Sequence, residues 1–377
     1  MNLAPLAAAA LLLLGGIAPT GTSAERAPDA PGERIRRDQW HLRFLKSAEA
    51  NAISRGDGVT VAVLDTGVDP HQDLRGNLLA GTSTIPGIPG DGRLDENSHG
   101  TGMAGLIAAH GQPDSTGAMG IAPDARIMPI KTSGSANTGQ PDDLAAGIDY
   151  AVAHHADVIS ISSTGGVSAD LVRSVRVALS SNIVVVAAAG NKPEDSYVGY
   201  PATESGVIAV GGIGQSGVVA PVSVDGPEID VVAPAVDIYS TSYDGKYSKG
   251  TGTSSATAIV AGAAALIRSK YPDLPAAEVA HRLTATAIDR GPPGRDDQYG
   301  YGIIDLVAAL TADVPPIGFE STGVTAPAST AAAPGTGDGG STARGLATLG
   351  VLLAAGGGYL VWRRRRRAGD PPPRISR

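Results

Sequence analysis

The sequence predicts an α/β fold, a mainly parallel sheet flanked by helices. Three features carry that prediction. Short β-branched runs recur along the middle of the chain, helix-period segments separate them, and the runs are almost continuously apolar instead of alternating. Continuous apolar strands are buried on both faces, as in parallel sheets covered by helices.

Taken in order, the first strand is Val59–Leu64, running into Asp65-Thr66-Gly67. Further strands are read at Ile127–Ile130, Val158–Ile161, Ile183–Ala188 and Val207–Val210. Between them, Gly102–Ala109 is a short helix, and Asp142–His154 opens with acidic residues that suit a helix N-terminus. Ser168–Ser181 gathers Leu171, Val172, Val175, Ala178 and Leu179 on one face. A last helix runs from the Ser254 turn to about Lys270. In such sheets ligands sit beyond the carboxyl ends of the strands. Asp65 stands at one such end and Asn191 follows another.

Composition narrows the function classes. The 377 residues contain no cysteine, which excludes disulfide frameworks and thiolate metal sites. A net charge of −8 argues against nucleic acid as a partner. Only 4% of residues are aromatic, so the core rests on Val, Ile, Leu and Ala.

The two ends read as targeting segments. Residues 1–24 have the apolar run Leu6–Ile17 and a small-residue cleavage site at Thr22-Ser23-Ala24, the pattern of a secretory signal. Gly345–Trp362 is uncharged and meets Arg363–Arg367 directly. As a helix it rises roughly 27 Å, enough for a bilayer core, with the arginines held on the cytoplasmic side. The tail 363–377 carries a charge of +6, leaving residues 25–362 at −14. The organisation expected is therefore a signal (1–24), an N-terminal extension (25–56), a main folded domain (57–312), a flexible Pro/Ala/Gly/Thr-rich stalk (313–344), a transmembrane helix (345–362) and a basic cytoplasmic tail (363–377). This places a single-pass protein in the cell membrane with its main domain outside the cytoplasm.

Three segments carry chemistry. Asp65 ends a buried strand. His99 stands in Asn97-Ser98-His99-Gly100-Thr101-Gly102, where small residues open a helix. Ser254 stands in Gly250-Thr251-Gly252-Thr253-Ser254-Ser255-Ala256, at a helix N-terminus whose N–H groups favour developing negative charge. Each alone has a plain structural reading, respectively a turn aspartate, a surface histidine and an N-cap serine. No phosphate-binding lysine motif is present, and the esterase elbow fails at Ala256. The other six histidines (41, 71, 110, 154, 155 and 281) lack such contexts and are read as structural or solvated.

Together, in the order Asp, His, Ser, these motifs resemble the subtilisin-like serine proteases over roughly residues 57–310. Ala187-Ala188-Ala189-Gly190-Asn191, Gly206–Gly211, Asp230–Pro234 and Tyr299–Asp305 match as well. The resemblance implies a three-layer fold and a peptidase using Ser254 as nucleophile, His99 as base, Asp65 to orient the base and Asn191 as oxyanion donor. The segment Val158–Gly166 resembles the family's substrate-binding strand, so Ser162, Ser163, Gly165 and Gly190 are the candidate substrate-binding residues. Here one extra residue precedes Gly165-Gly166, and Ser163 or Thr164 replaces an apolar residue, so the pocket preferences do not carry over. The family's common proline is Ala258 here, and Ser255 stands where Met or Phe is commoner.

The 25–56 extension is too short for a separate pro-domain. With the stalk and anchor it resembles the mycosins, membrane-anchored subtilisin-like proteases associated with type VII secretion. Protein substrates and a secretion complex are the implied partners. Asp69, Asp73, Asp91, Asp95 and Glu96 lack the spacing of a calcium loop and are read as a solvated acidic surface. No metal or other cofactor is expected. The alternatives are a scaffold of a secretion complex with dispensable catalysis, and an esterase using the same triad.

Overall fold

The computed structural model describes residues 31–113, 116–134 and 139–318. The signal segment, the anchor, the basic tail and all but the first six residues of the stalk lie outside the described residues. Three short helices come first: α1 (Pro31–Asp38), α2 (Trp40–Phe44) and α3 (Ser47–Asn51). Then follow β1 (Thr60–Asp65), β2 (Thr82–Ser83), α4 (His99–Ala108), β3 (His110–Gln112), β4 (Thr116–Met119) and β5 (Arg126–Lys131). The middle comprises α5 (Pro141–Ala153), β6 (Val158–Ile161), α6 (Ala169–Ser180), β7 (Val184–Ala188) and β8 (Ile208–Ile213). The chain continues through β9 (Val231–Pro234), β10 (Ile238–Thr241), β11 (Tyr247–Gly250), α7 (Thr253–Lys270), α8 (Ala276–Ala285) and α9 (Leu306–Thr311).

Seven strands form one sheet in the order β2-β5-β1-β6-β7-β8-β9, with every neighbouring pair parallel. Successive side chains on a strand point to opposite faces, and the two cores divide accordingly. Val61 and Val63 of β1, with Val184 and Val186 of β7, join α4, α7 and α8 in one core. Ala62 and Leu64, with Val185 and Ala187, face α5 and α6 in the other. Helix α7 is the centre of the first layer and is buried from Ser255 to Arg268. Its small residues admit close neighbours: a methyl group on Gly262 would come within 2.8 Å of Ile121 Cβ. Among the described residues no helix is long and apolar enough to cross a membrane.

Residues 31–51 are packed into the first core through Ile35, Trp40, Leu45 and Ala50. Gln39 is fully buried and pairs with the Met119 backbone in both directions, at 2.9 Å each way. It also donates to Tyr239 O at 3.2 Å. Trp40 Nε1 donates to Val236 O at 3.0 Å. Arg36 reaches into the β3–β4 hairpin, donating to Gly117 O at 3.0 Å and Thr116 O at 3.2 Å. Its half-buried guanidinium also feels the Asp73 carboxylate. Losing these charge-assisted bonds costs about 2–4 kcal/mol. Arg36→Ala is therefore expected to lower Tm by roughly 5–10 °C, read by calorimetry, while kcat on a short peptide substrate changes little.

The acidic residues read as a solvated surface divide, and two of them are buried. Asp73 has no exposed surface and accepts from Gln112 Nε2 (2.8 Å), Ala118 N (2.7 Å) and Tyr247 OH (2.9 Å). Asp95 is 2% exposed. A charged side chain buried this deeply persists only because donors surround it.

Candidate active site

The strand order reverses direction at β1, and its carboxyl end is where a ligand crevice is expected. Leu64 pairs in register with Ile161, and Ile161 with Ala187. The residues that leave these strands, Asp65, Ser162 and the Ala188–Asn191 segment, therefore lie side by side along one edge of the sheet.

Asp65 is almost fully buried, and its carboxylate is fixed by Thr66 N donating to Oδ1 at 2.7 Å. His99 Nδ1 donates to both carboxylate oxygens, at 2.7 and 2.9 Å. That pairing sets the tautomer and leaves Nε2 as the basic nitrogen. About a fifth of the His99 side chain stays exposed, enough for a substrate to reach. Burial pushes the His99 pKa down, but the Asp65 carboxylate, with Asp95 behind it, outweighs burial and raises it above the ordinary histidine value.

Two glycines explain why His99 can approach Asp65. Gly67 has φ +100°, and a methyl group there would strike Leu94 O at 2.2 Å. On Gly100 a methyl group would lie 2.0 Å from Gly67 O. The first turn of α4 is therefore pressed directly on the turn that follows β1.

Asp95 shapes the turn from the other side. Its Oδ1 accepts from Thr66 Oγ1 (2.9 Å), Asn97 N (2.9 Å) and Ser98 N (3.1 Å). Its Oδ2 accepts from Thr101 N (2.9 Å) and Thr101 Oγ1 (2.6 Å). These five bonds hold Ser98 at φ +81°, immediately before His99. A non-glycine residue persists there only when its surroundings over-determine it. Thr66 Oγ1 completes the clamp by accepting from Gly100 N at 3.0 Å.

Ser254 is the second residue of α7, and its hydroxyl donates to Ser162 O at 2.8 Å. Among the described residues no hydrogen bond joins Ser254 Oγ to His99 Nε2. Such bonds are often long before substrate binds and tighten in the complex. Asn191 lies beside the same turn. Its Oδ1 accepts from Thr253 N (2.9 Å) and Thr253 Oγ1 (3.2 Å). With the oxygen end held, Nδ2 is the end offered to a ligand, near the first backbone N–H groups of α7. An oxyanion lodged there meets a side-chain donor and a helix N-terminus at once.

The four candidate substrate-binding residues lie on the walls of this edge. Ser162 is buried against Ser254, with Ser163 and Gly165 following it on one wall. Gly190 lies on the other wall, where its N–H donates to Thr253 Oγ1 at 3.4 Å. Ser163, Gly165 and Asp65 also line a pocket that reaches Thr132, Gln140 and Leu144.

The subtilase family profile matches residues 56–302. The chain belongs to the subtilase family, peptidase S8. Subtilisin E of Bacillus subtilis is 42% identical over 259 residues, which cover 67% of this chain and 66% of that protein. The match thus spans just under two thirds of that relative's length. Among solved structures, MycP1 from Mycobacterium smegmatis is 30% identical, with a TM-score of 0.65 over 73% of this chain and 85% of that one. MycP3, a protease from the type VII (ESX-3) secretion system, is 33% identical, with a TM-score of 0.63 over 73% of this chain and 88% of that one.

In this subtilase the three motif residues and Asn191 gather at one edge, whereas the remaining histidines do not. His41 and His71 are buried away from the site, and burial drives the His41 pKa down to about 3. Asp95, Thr66 and Thr253 are the functional residues that motif reading missed. Their signal was present as spacing, since Asp95 lies four residues before His99 and Thr253 directly precedes Ser254. We expect Asp95→Asn to turn an amide N–H toward the Thr101 donors and let the His99 turn relax. A displacement near 1 Å costs about 10²-fold, so kcat/KM should fall roughly 10–100-fold. One of the charges that raise the His99 pKa also disappears, so the acid limb of the pH–rate profile should move to lower pH. A limb that stays in place would show Asp95 to be structural only.

Proposed function

We propose that this chain is a serine endopeptidase that cleaves protein substrates through an acyl-enzyme. The observation that carries the reading is the His99 ring held by both oxygens of buried Asp65, with Ser254 and Asn191 placed together at the head of α7. In the reaction Ser254 Oγ attacks the scissile carbonyl carbon while His99 Nε2 takes its proton. The carbonyl oxygen becomes an oxyanion facing Asn191 Nδ2 and the α7 backbone N–H groups. His99 then returns the proton to the leaving amine. Water, deprotonated by the same nitrogen, releases the acid product and restores Ser254.

The likeness to MycP1 and MycP3, together with the apolar segment 345–362 and the five arginines after it, supports a finer reading. The protein is a membrane-anchored, extracytoplasmic protease that processes secreted proteins, with a type VII secretion complex as its setting. A fluorophosphonate probe applied to the full chain in membranes tests both levels. Covalent labelling of the wild type but not of Ser254→Ala supports the peptidase. Labelled protein retained in the membrane after alkaline carbonate extraction supports the anchor. A wild type that stays unlabelled would sink the peptidase reading.

A further inference from the structure

Once a scissile carbonyl carbon sits on Ser254 Oγ with its oxygen toward Asn191 Nδ2, little space is left for the side chain just before the bond. Helix α7 fills one direction, and His99 and the leaving amine take another. That side chain enters the slot between the segment leaving β6 and the segment leaving β7. Residues 199–200 close the slot below, bridging both walls: Gly199 N donates to Ala189 O at 3.0 Å and Gly165 N donates to Tyr200 O at 3.2 Å.

Two side chains already occupy this slot. A methyl group placed on Gly199 would come within 2.6 Å of both Cβ and Cγ2 of Thr164, so the Thr164 side chain rests directly on the floor. A methyl group on Gly190 would come within 2.8 Å of Asp195 Oδ2, so the Asp195 carboxylate lies against the opposite wall. The two meet in the middle, with Thr164 Oγ1 3.3 and 3.4 Å from the Asp195 oxygens. Asp195 Oδ2 also accepts from Asn191 N at 2.8 Å. The filling is thus tied to the oxyanion residue's own backbone and cannot swing aside without breaking that bond.

We propose that Thr164 and Asp195 make this slot a shallow one that selects short, uncharged side chains (Gly, Ala, Ser) immediately before the cleaved bond. This rests on the peptidase reading above and names its substrate class. Larger side chains meet the Thr164 methyl before they can bury themselves. Acidic side chains meet the Asp195 carboxylate. Lysine and arginine gain little from Asp195, because its carboxylate already accepts from Asn191 N and Thr164 Oγ1.

The test is a set of peptide anilides identical except for Ala, Leu, Phe, Lys or Glu before the bond, cleaved by the full chain. Fluorophosphonate labelling of the same preparation is measured alongside. Each methylene accommodated or refused in such a pocket is worth about 10–200-fold. Wild type should favour Ala over Phe by about 100-fold or more. Thr164→Ala, which leaves only Asp195 in the slot, should raise kcat/KM for Leu and Phe at least about 10-fold and change Ala less than about 3-fold. Thr164→Ser, which keeps the hydroxyl toward Asp195 and removes only the methyl, should fall between them and guards against a folding defect in the first variant. Labelled wild type that cleaves Leu, Phe or Lys as fast as Ala overturns the slot proposal alone. An unlabelled wild type overturns the peptidase reading and the slot with it.

Discussion

Replacing Ser254 by alanine should lower kcat on a peptide substrate by about 10⁶ while leaving the fold and substrate affinity in place. The scale is that of subtilisin, a member of the same family. The side chain is small and partly buried, and among the described residues its hydroxyl bonds only the Ser162 carbonyl, which can be solvated when the hydroxyl is gone. The variant should therefore melt within about 0.5 kcal/mol of the wild type. What remains is the work of Asn191 and the helix N-terminus on a water-driven reaction, roughly 10³–10⁴ above the uncatalysed rate. Steady-state kinetics with protein purified free of other proteases measures it. A loss under about 100-fold would remove Ser254 from the nucleophile's role.

The second large effect is expected at Asp65. In Asp65→Asn the amide oxygen keeps Thr66 N, and the amide nitrogen takes the place of Oδ2, 2.9 Å from His99 Nδ1. A donor facing Nδ1 favours the ring proton on Nε2, the nitrogen that must act as base. The expected loss in kcat is about 10⁴. The pH profile should move as well. In the wild type kcat/KM should fall as pH drops through the His99 pKa, because the imidazolium cannot accept the Ser254 proton. That pKa stands above the ordinary value: burial, the largest single effect, lowers it, but the Asp65 charge, the Asp65 hydrogen bond and the Asp95 charge together raise it by more. Removing the Asp65 charge leaves burial less opposed, so the acid limb of the residual activity shifts to lower pH. An unchanged limb would mean that another group controls it.

The sheet and the segments that bring Asp65, His99 and Ser254 to its edge were legible because each is written in local patterns. Apolar runs predicted β1, β5, β6, β7 and β8 to within a few residues, and the motif glycines Gly67 and Gly100 exist for the packing seen. The N-terminal helices were not legible, since Trp40 and Gln39 acquire meaning only through partners near residues 236 and 239. Asp73 and Asp95 look in sequence like any exposed acid. Their burial depends on donors from segments far apart in the chain, Tyr247 for one and Thr66 for the other. The extra residue near Gly165 was visible as a departure from the family, but only the packing on Gly199 shows that Thr164 points inward.

The bond from Gln39 to Tyr239 closes a loop 200 residues long, and that from Trp40 one of 196. A chain made from its N-terminus presents these residues first and their partners last. Long-range closures of this kind are entropically costly and slow folding. The Trp40 indole and the second Gln39 bond therefore wait until about two thirds of the sequence has been made, whereas Met119 can meet the Gln39 amide much earlier. The docking of Trp40 is a late event in assembly.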